Sequence, residues 1–259
     1  MARTSISYHT SMFDLPARRN FATKIPAFHM KHPFLPILLS ALGTAALLPL
    51  NYFLAPQLHL SFSENPAINR MAAAQICTLA LVALVLWAVR RLHPEGFRKY
   101  WWLGDAAAPA EKVAWLGIRE NESWRSVGAG FSLVVTAATA AFMWLGVYQK
   151  TPIVWLDLLP WVLLFSLSNS FSEEMLTRFT LAAGLDGVQS KAQICLWSAA
   201  IFGGIHFFGT PGGIMGVLMA GFLGWLLAKS VVETRGFGWA WFIHFLQDVV
   251  IIFALLHVE

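Results

Sequence analysis

Apolar residues run along this chain in long blocks and do not alternate with polar ones. The blocks lie at roughly 34–55, 71–89, 127–148, 153–176, 191–208, 213–232 and 238–257, close to the ~20 residues an α-helix needs to cross a bilayer. Buried in lipid, each must satisfy its own backbone, which only a helix or a closed barrel does. The pattern therefore predicts an all-α fold, a polytopic membrane helical bundle of about seven transmembrane helices, eight if residues 90–126 hide another. Pro49 and Pro160 fall inside two blocks, where a proline can kink a membrane helix without ending it. The sixth block carries Gly212, Gly216, Ala220, Gly224 and Ala228 at intervals of four, a ladder that lets another helix approach closely.

The segments between the blocks are of two kinds. Residues 1–32 are polar and basic and lack the apolar stretch and cleavage site of a secretory signal, so they read as a cytoplasmic tail. The stretch Arg90–Arg125 mixes Arg90, Arg91, Arg98 and Lys99 with Trp101 and Trp102, which suits an amphipathic segment on the membrane surface. Three divisions follow: the tail 1–32, a transmembrane scaffold 33–150 with an interfacial loop 90–126, and a transmembrane core 151–259. With the N-terminus inside, only Arg70 and Lys150 of the 18 Lys and Arg face outward. Basic residues favour the cytoplasmic side, so this asymmetry predicts a multi-pass integral membrane protein with a cytoplasmic N-terminus, in the cytoplasmic (inner) membrane if bacterial.

Composition supports the membrane reading. The chain is 57% hydrophobic and 12% charged, against about 45–50% and about 25% in soluble domains. A net charge of +4 is accounted for by the loops, so the lipid bilayer and no nucleic acid is the expected surface partner. Cys77 and Cys195 lie far apart within apolar blocks and no CxxC occurs, which leaves packing as their role.

Against this background the ionisable residues in the last blocks stand out. Each costs about 2.5–3.5 kcal/mol on insertion scales, which makes it a functional candidate. The fourth block turns polar through Ser166, Ser168, Asn169, Ser170 and Ser172 before presenting Glu173 and Glu174, as a helix lining a wet mid-membrane cavity would. Glu174 and Arg178 are four apart and can pair along one face. Glu173 points about 100° further round and has no such local partner, which suits a general base. His206 follows Phe202 by four; a single histidine on an apolar helix is commonly a packing residue. His244 and Asp248, again four apart, can orient each other or share a water or metal. Helical rise puts Glu173 about 16 Å, Asp248 about 15 Å, His244 about 9 Å and His206 about 24 Å from the nearest turns, so His206 lies deepest. His9, His29, His32, His59, His93 and His257 fall in tails, loops or a block end.

Taken in order, Glu173-Glu174-x-x-x-Arg178, Phe202-x-x-x-His206 and His244-x-x-x-Asp248 resemble the three motifs of the CPBP (ABI) intramembrane proteases over roughly residues 155–255. That family includes CAAX prenyl endopeptidases and bacteriocin-processing or self-immunity proteins. The resemblance implies an intramembrane endopeptidase that hydrolyses a membrane-associated protein or lipidated peptide, CAAX-type or bacteriocin-like, with a glutamate-activated water. It implies that Glu173 activates the water, His206 assists it, and His244 and Asp248 complete the water or oxyanion site. Glu174, Arg178 and Phe202 would support them. The family ends its third motif in Asn or Asp, and Asp248 lacks the amide donor an Asn would offer. Glu173, His206, His244 and Asp248 are also of zinc-ligand type, but no HExxH occurs; a metal-free reaction is the reading adopted, with zinc left open. Two alternatives stand beside it: a non-catalytic immunity or assembly factor of the same family, and a proton-coupled transporter. The latter usually shows internal repeats, which are not evident here.

Overall fold

The structure, a computed structural model, describes residues 33–146, 157–209 and 211–258. The expected tail 1–32, Lys150 and the beginning of the fourth apolar block lie outside these residues, as does the side chain of His257. The described residues form helices joined by loops that contain only isolated β-bridges. These helices are α1 (Phe34–Pro49), α2 (Pro66–Leu92), α3 (Pro94–Tyr100), α4 (Trp124–Gly146), α5 (Leu159–Glu174), α6 (Thr180–Leu185), α7 (Lys191–Ile205), α8 (Gly213–Thr234) and α9 (Gly238–Val258).

Local chemistry sets several of their limits. Asn65 caps α2 by accepting from the Ala67 backbone N–H at 2.8 Å, with Pro66 at the first helical position, where its missing N–H costs nothing. Ser190 and Gln193 close a reciprocal capping box at the start of α7. Pro160 sits in the first turn of α5, so it opens this helix and does not kink it. Pro49 ends α1, which continues as a π turn, Leu50–Leu54, and a 3-10 turn, Ala55–Gln57.

Among the described residues five helical stretches are long and apolar enough to cross a membrane: Phe34–Gln57, Pro66–Leu92, Trp124–Leu145, Gly213–Thr234 and Gly238–Leu256. Their outward faces carry large apolar side chains, Leu133 and Ile214 at 75% exposure and Phe53 at 74%. A surface of this kind belongs in lipid. The described residues form an all-helical bundle, and the chain is a polytopic integral membrane protein. The other two apolar blocks appear as shorter helices, α5 with 16 residues and α7 with 15.

The axis of the bundle carries Glu173, Glu174 and Arg178. After Glu174 the chain makes a π turn, Met175–Phe179, and continues directly as α6. Met175, Leu176, Phe179, Leu181, Ala182 and Leu185 are all buried, and α1, α2, α7 and α8 pack around them. The block read as ending near residue 176 thus runs on as helix to Leu185.

The small-residue ladder packs α8 onto α7. A Cβ on Gly224 would stand 3.1 Å from the Ser198 carbonyl and 3.2 Å from Phe202 Cβ, and one on Gly216 would overlap the carbonyls of His206 and Pro211. Only glycine permits this approach. Gln247 pins α9 to α4, accepting from Thr139 at 2.6 Å and donating to Thr136 at 2.9 Å.

Residues 93–126 contain α3, loops and a 3-10 turn (Ala114–Leu116), with no further membrane-length helix. This segment seals one end of the bundle. Lys99 pairs with Asp186 at 2.6 Å, and Tyr100 donates to the same carboxylate at 3.1 Å. The backbone N–H groups of Phe237 and Gly238 donate to the carbonyls of Trp102 and Leu103, at 3.0 Å each. Trp101 stacks on Phe97 and meets Phe179 edge-on. Glu233, paired with Lys229 on α8, accepts the indole N–H of fully buried Trp124 at 2.8 Å.

Candidate active site

The four-residue spacings do what a helix requires. Arg178 Nη1 lies 3.2 Å from Glu174 Oε1, both side chains being fully buried. The same guanidinium donates to Thr177 Oγ1 at 2.7 Å and stacks 3.7 Å above the ring of Phe202. A buried ion pair is tolerated when further bonds and contacts surround it, and Thr177 and Phe202 supply part of these, while Glu174 Oε2 and Arg178 Nε and Nη2 find no hydrogen-bond partner among the described residues.

Glu174 does more than pair with Arg178. The same Oε1 accepts a hydrogen bond from His244 Nδ1 at 2.7 Å. With Nδ1 committed to Glu174, Nε2 is the nitrogen aimed at the remaining acids. It lies 3.6 Å from Glu173 Oε2 and 3.7 Å from Asp248 Oδ1. Three carboxylates from two helices therefore surround one imidazole, and one guanidinium holds the most buried of them, Glu174.

Glu173 is not unpartnered, contrary to the expectation from spacing along its own helix alone. Asn169, one turn earlier, donates through Nδ2 to Glu173 Oε1 at 3.1 Å and to Asp248 Oδ2 at 3.1 Å. Asn169 is in turn fixed from α2: Gln75 Nε2 donates to its Oδ1 at 3.1 Å, and Ser168 donates to Gln75 Oε1 at 2.9 Å. The polar flank of α5 thus divides. Ser168 and Asn169 reach across to other helices, whereas Ser170 bonds back to the Ser166 carbonyl at 2.6 Å.

His206 stands at the end of α7, where the helix tightens into a 3-10 turn, His206–Phe208. Its Nδ1 donates to the Phe202 carbonyl at 2.8 Å, which leaves Nε2 as the ring's acceptor. Phe202 ties the set together, its ring centroid 4.3 Å from that of His206 and 5.6 Å from that of His244. The greater helical depth of His206 does not separate it from the acids. Glu173 and His206 line one cleft of about 230 Å³, closed on the other side by Thr44, Leu47 and the π-turn residues Asn51 and Tyr52. Glu173 keeps 20% of its side chain exposed, against 6% for His244 and 7% for Asp248, so it is the acid that meets the cleft.

Zinc was left open by the residue types. Among the described residues no group of three or more His, Cys, Asp or Glu is arranged to hold a metal ion. Asn169 Nδ2 donates into both carboxylates that would have to be ligands, and His206 faces the cleft from another helix. No step is routed through a metal.

Reasoning along the sequence missed three contacts: Asn169 as the bridge between acids, Gln75 as its anchor and the bond from Glu174 to His244. The first two had a signal, since Asn169 lies one turn from Glu173 and Gln75 is a polar residue inside an apolar block.

Fold and site together define a class: an integral membrane protein with a glutamate–histidine–aspartate cluster at the edge of a cleft between helices. Residues 154–250 match the family model described as type II CAAX prenyl endopeptidase Rce1-like. The matched stretch holds all seven motif residues from Glu173 to Asp248. No curated protein and no solved structure matches the chain.

Proposed function

We propose that this protein is an intramembrane endopeptidase that hydrolyses a membrane-associated protein or lipidated peptide with a glutamate-activated water. The observation that carries this reading is the shared cleft: Glu173 and His206 open on one space while His244 faces Glu173 from behind. Glu173 takes the proton from a water in the cleft as that water attacks the scissile carbonyl, and His206 Nε2 orients the water by accepting a hydrogen bond from its remaining O–H. The peptide C–N bond breaks as the tetrahedral intermediate collapses, and the proton held on Glu173 passes to the leaving amine. His244, held by Glu174, presents Nε2 near the developing oxyanion, and Asp248 keeps that ring in place. Glu174, Arg178 and Phe202 hold the motif helices at their spacing.

The remaining assignments form part of the same reading. Residues 151–259 carry the chemistry, 33–150 support it with 90–126 at the interface, and 1–32 form a cytoplasmic tail. The bundle crosses the membrane seven times, α5 and α7 included, with water reaching the cleft at mid-membrane. The match to CAAX prenyl endopeptidases supports a prenylated C-terminal segment as substrate. Substrate enters this cleft laterally from lipid, between helices.

The test is proteolysis by the purified full-length protein in liposomes, with a fluorogenic farnesylated C-terminal peptide as probe. Glu173→Gln keeps the size and hydrogen-bonding reach of the side chain and removes the base, so cleavage should fall by about 10²-fold or more at unchanged melting temperature. A Glu173→Gln protein that cleaves at the wild-type rate would remove the mechanism.

A further inference from the structure

We propose that Asn169, held by Gln75, is a positioning residue of the reacting set: its amide spans Glu173 and Asp248 and fixes how the two carboxylates face His244. The inference rests on the hydrolase reading above and adds to it a network whose anchor, Gln75, lies outside the matched family segment.

The geometry leaves the amide one useful orientation. Glu173 and Asp248 converge on His244 Nε2 at 3.6 and 3.7 Å. Two acids brought together in this way repel each other and need a donor that both can use. The two hydrogens on Asn169 Nδ2 meet that need, one on each carboxylate at 3.1 Å. Turning the amide over would set its oxygen against both acids. The side of Asn169 away from the acids is occupied as well, because its Oδ1 accepts from Gln75 Nε2 at 3.1 Å and Gln75 Oε1 is taken by Ser168.

Gln75 is buried in the middle of α2, far upstream of residues 154–250. A glutamine in an apolar span is costly unless it has partners, and both of its ends are used within this network. The N-terminal half of the chain therefore contributes a side chain to the alignment of the site as well as a wall to the cleft. Asp248 cannot donate through a carboxylate, and Asn169 brings an amide N–H to that end of the site from another helix.

A residue of this kind should affect turnover more than binding. In liposomes, with the farnesylated peptide as probe, Asn169→Ala should lower kcat about tenfold or more while KM stays within about twofold. Asn169→Asp places a third acid where the donor was and should lose more, about a hundredfold. Adding Asp248→Asn to Asn169→Asp puts one amide back among the acids and should recover at least about tenfold of that loss. Gln75→Ala should lower kcat in the same direction by a smaller factor. Wild-type turnover in Asn169→Ala, or a double variant no better than Asn169→Asp alone, would overturn the inference.

Failure of the hydrolase reading shows separately, as a wild-type protein that leaves the peptide intact. The melting temperatures of the same variants then decide. Asn169→Asp should melt several degrees below wild type, and the added Asp248→Asn should restore most of that difference. Strictly additive shifts would mean that the two positions do not share a bridge.

Discussion

At the scale of single residues the site turns on Glu174, which joins two helices through one oxygen. Oε1 faces Arg178 on its own helix and His244 on α9. Replacing Arg178 by Ala strands a fully buried carboxylate, a change that typically costs about 3–5 kcal/mol. Arg178→Ala should therefore lower both the melting temperature and the accumulation of the protein; normal levels and normal turnover together would contradict the role. Arg178→Lys should restore only part of the loss, because an ammonium cannot lie flat over Phe202 as the guanidinium does. The Glu174–Arg178 pair was legible in the sequence, since residues four apart on a helix share a face. The bonds from Glu174 to His244 and from Asn169 to Asp248 were not. They join positions 70 and 79 residues apart, and spacing within one helix says nothing about how a neighbouring helix is rotated.

At the scale of elements, α7 is placed by what α8 leaves out. The carbonyl of His206 comes so near Gly216 that a Cβ there would overlap it. Gly216→Ala should push the His206 turn out of place, costing about 1–3 kcal/mol as overpacking does and lowering turnover as well. Circular dichroism melts and peptide cleavage on the same sample check both effects. An unchanged protein would show that the turn can shift freely. The ladder and the helices themselves could be read from the chain, because small residues at intervals of four and long apolar blocks are local patterns. The π turns could not. Neither Leu50–Leu54 nor Met175–Phe179 carries a distinctive sequence, and both lie where the surrounding helices settle the register.

At the scale of the whole molecule, the segment after α2 closes one end of the bundle, and its polar contacts bring a dependence on pH. Burial, and then the Asp186 carboxylate beside it, raise the Tyr100 phenol above its ordinary value, about 10. A group whose folded value is raised contributes stability that is complete below its unfolded value and declines as pH climbs toward the folded one. The protein should therefore lose stability above about pH 10, and Tyr100→Phe should flatten that decline. Melting temperatures across the alkaline range measure it. Glu111 has the opposite sign, held below the ordinary carboxylate range chiefly by the hydrogen bond from Lys191. Its contribution fades as pH falls and is small, because the pair is largely exposed. The same end carries Lys99, Lys112, Lys191 and Arg235, in keeping with a cytoplasmic orientation. A cysteine placed at Lys112 should react with a membrane-impermeant maleimide only after cells are opened; labelling of intact cells would reverse the topology.

The π turn after Glu174 makes two rods out of one. An extra residue in a helical turn advances everything beyond it by about 100° relative to an uninterrupted α-helix. The upper rod can then offer its acids to α9 while the lower rod keeps an unbroken oily surface toward α1, α2 and α3. Deleting a single residue between Met175 and Phe179 would close the turn to an ordinary α-helix and leave the acids and their apolar foundation in phase, because the π turn absorbs the one residue that is removed. A relative one residue shorter in this stretch can therefore present the same acids from an unbroken helix.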